Sequence, residues 1–391
     1  MKIALVHDYL AEYGGAERVI EALHEIWPDA PLYTAFFDWK RLGSHAQRFK
    51  KWDIRPSWVQ HIWIIKKLIS PLRFLAPLIW QSFDLSGYDV VITSSGWFIP
   101  RGVIVKKPTI HICYIHHPPR NLYGYATGSS LQRYWPVRLY SIFVNFFLRN
   151  YDYHTAQNVD YFIANSKETA RRVKKFYRRD STVIYPSIQY QISKIKNQKY
   201  ISKIKNKKTY FLSVGRLSWA KRVDLIIEAC NKLKLPLKIV GVGKEEEALK
   251  KIAACPPSVG VEDASGRRPT IEFLGSVSDA ELAEAYANAK ALIFSALDED
   301  FGMVPVEAMA YGTPVIGLSQ GGVKETVIEG KTGIFFSEPT VESLTNAIHR
   351  FEKLPKDYEW APECQKQAKK FSTEEFKKNF IAFIRSKVSL R

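Results

Sequence analysis

Short apolar runs alternate with helical patterns along most of the chain, and this alternation limits the possible folds more than any other feature. The first series of predicted strands covers residues 2–6, 89–93, 109–115, 161–164 and 183–185. The second series covers residues 210–214, 237–240, 271–273, 291–294, 314–316 and 333–335. Strands that alternate with helices form parallel sheets from βαβ units, so we predict two doubly wound α/β domains. Ligands bind at the carboxyl ends of such strands, and we expect the domains to face a central cleft.

The excess positive charge belongs to the first half of the chain and the linker, which favours contact of the first half with a polyanion or an anionic surface; a solvated basic face is the alternative. Of the net charge of +18, residues 1–190 contribute 25 basic against 14 acidic side chains, and residues 191–208 add seven lysines without an acid. Residues 209–391 are balanced, with 25 of each sign. The alternation of strands and helices restarts after this lysine-rich stretch, so we predict a Rossmann-like domain over residues 1–190, a basic linker over 191–208 and a second Rossmann-like domain over 209–370. Residues 255–269, rich in Pro, Gly and Ser, are predicted to form an insert.

Several classes of protein are disfavoured by the composition. The N-terminal segment MKIALVHDYL is too short, and has an acid too early, for a secretory signal. The sequence contains no run of about 18 uncharged apolar residues that would predict a spanning helix. The cysteines lie far apart and match no metal or redox spacing, which indicates reduced thiols and a cytoplasmic protein. They are Cys113, Cys230, Cys255 and Cys364.

The segment VGRLSWAKRVD follows the first strand of the second series. Gly215 permits a tight turn, and Arg216 and Lys221 lie five residues apart on the loop that leaves the strand. Two cations at the mouth of a ligand site suit a diphosphate, because they offset its charge. The alternative is a pair of surface cations near a helix.

Two further segments could contact a ligand in the first domain. In HDYLAEYGGAERV, Gly14 and Gly15 precede a helix, so backbone amides there could approach a phosphate. It is not a GxGxxG sequence, and an ordinary βα turn is equally compatible. In ICYIHHPPRNLYGY, His116 and His117 end a strand, where neighbouring side chains point to opposite faces. We favour His116 as the histidine that faces the ligand, with a packing role as the alternative.

The segment DEDFGMVPVEAMAYGTPVIG contains two glutamates eight residues apart, Glu299 and Glu307. Pro305 suits the first position of a helix and Gly312 its end, which predicts a helix over residues 305–311 with Glu307 in its first turn. A carboxylate there would interact favourably with the helix dipole. The loop at Phe301 and Gly302 would offer backbone amides to a phosphate or a sugar hydroxyl.

These four motifs, in this order, resemble the retaining nucleotide-sugar glycosyltransferases of family four, which have the GT-B fold. The similarity extends from residue 3 to about residue 335, and FSTEEF near residue 371 is similar to the family's C-terminal helix. The resemblance implies that residues 371–391 return to the N-terminal domain. It also implies that the first domain binds the acceptor and the second binds the nucleotide sugar.

The resemblance assigns a role to each motif residue. Arg216 and Lys221 match the pair that holds the donor diphosphate, Glu307 matches the acid on the ribose hydroxyls, and Glu299 matches the acid at the donor sugar ring. The amides of the donor loop match Phe301, Gly302, Met303 and Val304. In the first domain, the glycine facing the phosphates matches Gly15, the histidine near the reacting sugar matches His116, and Arg120 is expected near the acceptor. Many relatives have a small polar residue where His117 stands.

The resemblance predicts transfer of a hexose to a glycan or lipid-linked acceptor, in the synthesis of a cell-surface polysaccharide or glycolipid. The sequence EDFGMVPVEAMA resembles that of relatives that use GDP-mannose, and a UDP-hexose is the next candidate for the donor. A nucleotide-sugar epimerase of the same fold is a less favoured alternative. We expect no cofactor and no metal ion.

The first half of the chain is basic and aromatic. Residues 54–151 contain only two acids, Asp84 and Asp89. Apolar residues repeat at helical spacing over 58–72, and residues 134–149 read YWPVRLYSIFVNFFLR. Such segments either lie on an anionic membrane surface or form core helices of the first domain. The first alternative would make the protein peripheral on the cytoplasmic face of a membrane. The chain has no motif for binding nucleic acid.

Overall fold

The computed structural model describes residues 1–127, 134–188, 208–254, 271–355 and 358–388. The chain forms two compact units. The first contains Met1–Tyr125, Leu131–Ser187 and Thr373–Arg391, and the second contains Ala126–Ser130 and Ile188–Ser372. Most of the predicted linker and the whole predicted insert at 255–269 lie outside the described residues.

The first unit is built on a seven-stranded parallel sheet with the strand order β3-β2-β1-β4-β5-β6-β7. Its strands are β1 (Ile3–His7), β2 (Leu32–Thr34), β3 (Ile54–Pro56), β4 (Val90–Ser95), β5 (Ile110–Ile115), β6 (Tyr161–Ala164) and β7 (Ser181–Val183). The central strands β1, β4 and β5 are buried along their whole length, as expected for a sheet covered on both faces.

The second unit is built on a six-stranded parallel sheet with the strand order β10-β9-β8-β11-β12-β13. Its strands are β8 (Tyr210–Val214), β9 (Leu237–Val240), β10 (Ile271–Gly275), β11 (Ala289–Phe294), β12 (Val315–Leu318) and β13 (Gly333–Phe336). The order reverses between β8 and β11, which is the doubly wound arrangement of dinucleotide-binding domains. The prediction of two doubly wound α/β domains is confirmed.

Helices connect the strands of both sheets. In the first unit they are α1 (Gly15–Ile26), α2 (Trp39–Leu42), α3 (Trp63–Lys67), α4 (Ala76–Trp80), α5 (Arg120–Tyr123), α6 (Trp135–Gln157) and α7 (Lys167–Tyr177). In the second they are α8 (Val223–Leu233), α9 (Glu246–Ala254), α10 (Asp279–Asn288), α11 (Met303–Ala310), α12 (Val323–Thr326), α13 (Val341–Glu352) and α14 (Ala361–Lys369). The last helix, α15 (Thr373–Val388), belongs to the first unit. Within the described ranges, no helix has both the length and the apolar character needed to cross a membrane.

The sequence analysis missed two strands, β2 and β3, which lie at one edge of the first sheet. Each of β2 and β3 has only three residues, which is too few for an alternating pattern to be recognised. The predicted strand at 183–185 was displaced, since β7 covers Ser181–Val183. The other predicted strands overlap observed ones, because their β-branched and apolar runs are long enough to be distinctive.

The predicted helix at 305–311 was wrong at its start. Helix α11 begins at Met303, with Gly302 as its N-cap in a left-handed conformation (φ 89°). A glycine adopts that conformation without steric cost, so the helix begins two residues earlier than Pro305 alone indicates. Glu307 is therefore in the second turn, where the helix dipole has less influence on its charge.

The apolar repeat over residues 58–72 does not form one helix. It contains a 3₁₀ turn at Trp58–His61 and the short helix α3, and a second 3₁₀ turn at Arg73–Leu75 follows it. Ile65 and Ile69 are buried, whereas Trp58, Ile62 and Leu68 are exposed. Neither a continuous core helix nor a continuous surface helix describes this stretch.

Helix α15 completes the core on one face of the first sheet. Its buried residues Phe376, Phe380 and Ile384 belong to one apolar cluster with residues of β1 and β4. Phe380 packs edge-on against Trp27, with ring centroids 5.9 Å apart. The C-terminal segment is thus a structural part of the first unit.

We predict that Phe380→Ala lowers the free energy of unfolding of the first unit by about 3–5 kcal/mol, because it leaves a cavity in a close-packed cluster. Asn379→Ala, at the exposed neighbouring position of the same helix, is the matched control. Urea unfolding followed by tryptophan fluorescence measures both. Equal stability of the two variants would contradict the packing role of α15.

Candidate active site

The second unit has a pocket at the point where its strand order reverses. Strands β8 and β11 lie side by side there, and the pocket is formed by their carboxyl ends and by the loops that follow. Ligands of doubly wound domains bind at this position. Its polar lining includes Ser213, Arg216, Lys221 and Ser295, and apolar residues such as Val214 and Phe294 complete it.

The loop after β8 is held by close backbone contact with the loop after β9. The N–H of Gly215 donates to the carbonyl of Val240 at 3.0 Å, and that of Leu217 donates to Val242 at 3.0 Å. A Cβ on Gly241 would lie 1.9 Å from the Gly215 carbonyl oxygen, so only glycine fits there. This contact fixes the backbone from which Arg216 projects.

Arg216 and Lys221 reach the same pocket from different places on this loop. Arg216 is exposed, whereas Lys221 is half-buried at the end of a short 3₁₀ turn, Trp219–Lys221. The hydroxyl of Ser295, just after β11, donates to the Lys221 carbonyl at 2.9 Å. The structure therefore brings the two predicted phosphate-binding cations together at the end of the central strands.

Lys221 forms an ion pair with Glu299. Its Nζ lies 2.7 Å from Glu299 Oε2, and the two side chains are 31% and 17% exposed. The ammonium group also lies 5.5 Å from the centre of the Phe294 ring. A pair of this exposure is partly screened by solvent, so we assign it an orienting role more than a stabilising one.

Two glycines that the sequence analysis did not select support the Glu299 loop. A Cβ on Gly321 would lie 2.2 Å from the Glu299 carbonyl oxygen, and one on Gly322 would lie 2.2 Å from that of Asp300. The N–H of Gly322 donates to the Glu299 carbonyl at 2.9 Å. The dipeptide GG after β12 was the available sequence indication of this contact.

The loop from Phe301 to Val304 leads into α11. Phe301 is buried and packs against Phe371, with ring centroids 5.4 Å apart. Met303 and Val304 are the first residues of the helix, so their N–H groups have no acceptor within it. Such amides favour a negatively charged or hydroxyl-bearing ligand.

Glu307 is buried in α11 and accepts a hydrogen bond from the hydroxyl of Tyr286 at 2.9 Å. Tyr286 in turn stacks on Tyr311, with ring centroids 5.7 Å apart. The carboxylate is thus held in one orientation by a neighbouring helix. Tyr286 is a positioning residue that sequence reasoning missed, because it lies 21 positions away.

The first unit has a connected polar network at its own reversal point, between β1 and β4. His116 Nε2 lies 2.8 Å from Ser94 Oγ, which lies 3.1 Å from His7 Nδ1. His7 Nε2 lies 3.4 Å from Glu17 Oε1, and the other oxygen of Glu17 accepts the N–H of Gly14 at 2.8 Å. The network therefore links His116 to the glycine turn before α1.

His116 is the more enclosed of the two adjacent histidines. It is 8% exposed, and burial, with His7 and His117 nearby, holds its pKa well below the usual range. His116 is therefore neutral at pH 7, and one ring nitrogen is available as an acceptor. His117 is half-buried, with Nδ1 3.0 Å from the Pro118 carbonyl oxygen. Gly15 is exposed at the start of α1, and Arg120 is half-buried at the start of α5.

Asp8 lies beside this network, directly after β1. Its oxygens accept the N–H groups of Gly96 (3.4 Å) and Phe98 (3.3 Å). Burial raises its pKa from 3.8 to about 6, although His7 and these two hydrogen bonds oppose the shift. A raised carboxyl pKa at a strand end is typical of functional sites, and the sequence motif HDYL did not reveal it.

Over the residues that the structure describes, no group of three His, Cys, Asp or Glu side chains is placed to hold a metal ion. The metal independence of the site stays a prediction.

We predict that Asp8 makes the first unit less stable as pH rises from 4 to 7. Between the unfolded pKa of 3.8 and the folded pKa of about 6, the folded protein keeps a proton that the unfolded chain has already released, so unfolding becomes easier as pH increases. A shift from 3.8 to about 6 corresponds to about 3 kcal/mol. Urea unfolding at several pH values should show this slope for the native sequence and lose it in Asp8→Asn.

Asp29→Asn, which alters an exposed carboxylate of the same unit, is the matched control. Parallel pH profiles for the native protein and Asp8→Asn would contradict the prediction.

The sequence of this chain is similar to those of known proteins. Residues 194–371 match the family model described as glycosyl transferases group 1. The alpha-1,3/1,6-mannosyltransferase ALG2 of Dictyostelium discoideum is 26% identical over 91% of this chain and 90% of its own length. A glycogen synthase of Thermus thermophilus is 30% identical, over 38% of this chain and 35% of its own length.

The fold has a full-length counterpart among solved structures. Anabaena Alr3699/HepE, solved with UDP and glucose, superimposes with a TM-score of 0.68 over 99% of this chain and 100% of that chain, at 19% identity. Identity this low shows the fold alone. Family model, relatives and fold together show that the chain resembles the GT-B nucleotide-sugar glycosyltransferases, mannosyltransferases among them.

Proposed function

We propose that this protein is a retaining hexosyltransferase that moves mannose from GDP-mannose to a glycan or lipid-linked acceptor. The observation that carries the proposal is the meeting of Arg216, Lys221 and Glu299 at the strand-order reversal of the second sheet. The mannosyltransferase named among the full-length relatives supports the choice of sugar. The cellular product would be a surface polysaccharide or a glycolipid, made on the cytoplasmic side of a membrane.

The second unit would bind the donor. Arg216 and Lys221 would offset the charge of the diphosphate, and the first N–H groups of α11 would donate to phosphate or sugar oxygens. Glu307, oriented by Tyr286, would accept hydrogen bonds from the ribose hydroxyls. Glu299 would bind a hydroxyl of the sugar ring and keep Lys221 directed at the phosphates.

The reaction would proceed on one face of the sugar. The acceptor oxygen forms a bond to C1 while the bond between C1 and the diphosphate oxygen breaks, and the acceptor proton passes to the leaving phosphate. Negative charge grows on the diphosphate during this step, so Arg216 and Lys221 stabilise the transition state more than the ground state. No metal ion or cofactor is required in this scheme.

The first unit would bind the acceptor. His116 is neutral and can accept or donate a hydrogen bond to a sugar hydroxyl, and its ring is held through Ser94. The turn at Gly15 would approach the phosphates, and Arg120 would contact the acceptor.

Two other functions remain as alternatives. A UDP-hexose donor is compatible with the same residues, and the fold counterpart from Anabaena was solved with UDP and glucose. An epimerase would use the same donor site without an acceptor, and its product would be an altered nucleotide sugar.

We predict that Arg216→Ala combined with Lys221→Ala lowers turnover by roughly 10²–10³-fold, since both removed charges act on the leaving diphosphate. The melting temperature should change little, because neither side chain is in the core. Lys232→Ala, at an exposed position on α8, is the matched control. Turnover near the native rate in the double variant would show that the phosphate assignment is wrong.

We predict that GDP-mannose raises the melting temperature more than UDP-glucose, UDP-galactose or free mannose. A ligand at 100 times its dissociation constant stabilises the folded state by about 2.7 kcal/mol. Stronger stabilisation by a UDP sugar would identify a UDP-hexose as the donor, and no response to any nucleotide would contradict the enzyme assignment.

The product from GDP-mannose should show an α-anomeric configuration by NMR, and a β product would contradict retention.

A further inference from the structure

The aromatic helix α6 exposes one apolar face, although Val144 and Leu148 pack inward with Ile99 and Leu122. Its first four turns direct Tyr140, Ser141 and Asn145 toward the first unit, where they are half-buried. The opposite face is apolar and strongly exposed, at 49–69% of each side chain. It consists of Leu139, Ile142, Phe143, Phe146 and Phe147. An exposed apolar face of this size marks an interaction surface.

A second exposed apolar segment adjoins this helix. Arg73 joins the two, because its Nη2 donates to Asn145 Oδ1 at 3.0 Å and to Ser141 Oγ at 3.3 Å. Its guanidinium also lies 5.1 Å from the centre of the Tyr140 ring. The exposed apolar residues of this segment are Trp63, Ile64, Leu68, Phe74 and Leu78. We call the two sets together the aromatic face.

The surroundings of the aromatic face are cationic. Lys67, Arg138 and Arg149 are exposed within these segments. Over residues 54–151 the chain has eleven Lys and Arg against two acids, Asp84 and Asp89. Asp84 is already paired with Lys106, at 3.7 Å. An apolar face with a cationic border has the chemistry of a segment that lies in the interface of an anionic bilayer.

We propose that the aromatic face binds the surface of an anionic membrane. The phenylalanines enter the boundary between headgroups and acyl chains, and the cations contact lipid phosphates. A second copy of the chain fits the face less well, because it would bring two cationic borders together without acids to pair them. The inference goes beyond sugar transfer and does not require it, since it rests on helices remote in sequence from the donor site.

The test is co-sedimentation of the full chain with vesicles of phosphatidylcholine alone or mixed with phosphatidylglycerol, without any nucleotide sugar. We expect binding to the mixed vesicles and much weaker binding to the neutral ones. Phe143→Ser with Phe147→Ser should reduce the partition coefficient by roughly tenfold or more. Lys67→Gln with Arg138→Gln and Arg149→Gln should reduce binding by a similar factor at low salt. At high salt this variant and the native protein should bind alike, because salt screens the attraction between the cations and the lipid phosphates.

Matched controls lie on the second unit. Val242→Ser with Tyr358→Ser removes two exposed apolar side chains, and Lys232→Gln with Lys331→Gln and Lys353→Gln removes three exposed cations. Both should bind vesicles like the native protein.

Circular dichroism distinguishes lost binding from lost folding, and the charge variant tests the proposal even if the phenylalanine variant misfolds. Equal binding to neutral and anionic vesicles, or no binding to either, would overturn the proposal. A native dimer that Phe143→Ser with Phe147→Ser converts to a monomer, without vesicle binding, would assign the face to a second copy.

Discussion

Parallel pairing of the strands is the constraint on which both units depend. Parallel strands need a crossover between them, so the loops at the carboxyl edge connect strands to the helices that follow them. In each sheet, the reversal of strand order separates two such loops and leaves a space between them. Arg216, Lys221 and Glu299 meet at one reversal point, and His7, Ser94 and Asp8 meet at the other. Residues distant in sequence are thereby brought together by sheet topology.

Close backbone contacts then fix the loops around the pocket of the second unit. Gly241 lies against Gly215, and Gly321 lies against Glu299, at distances that exclude any Cβ. These contacts cost conformational entropy, because glycine loses the most freedom on folding. In return, the ion pair of Lys221 with Glu299 is held on a rigid frame. The diphosphate site proposed for this pocket would benefit from such preorganisation, because it has to place two charges against one ligand.

Two features of the first unit depart from what stability alone would favour. The buried network from His116 to Glu17 has Asp8 beside it, and burial lowers the pKa of His116 and raises that of Asp8. The aromatic face exposes large apolar side chains to water. Both features are costly in an isolated folded chain. Both are explained if the first unit binds an acceptor at one place and an anionic surface at another.

The sequence by itself determined the fold class and most strands, because long apolar runs and Gly and Pro positions act locally. It failed for β2 and β3, which are too short to show a period, and for the start of α11, which Gly302 decides. Only tertiary structure decided that Tyr286 orients Glu307 and that Gly321 supports Glu299. It also decided that α6 turns its apolar side to solvent. The reason is that hydrogen-bond partners, close approach and burial depend on neighbours distant in sequence, which no local pattern specifies.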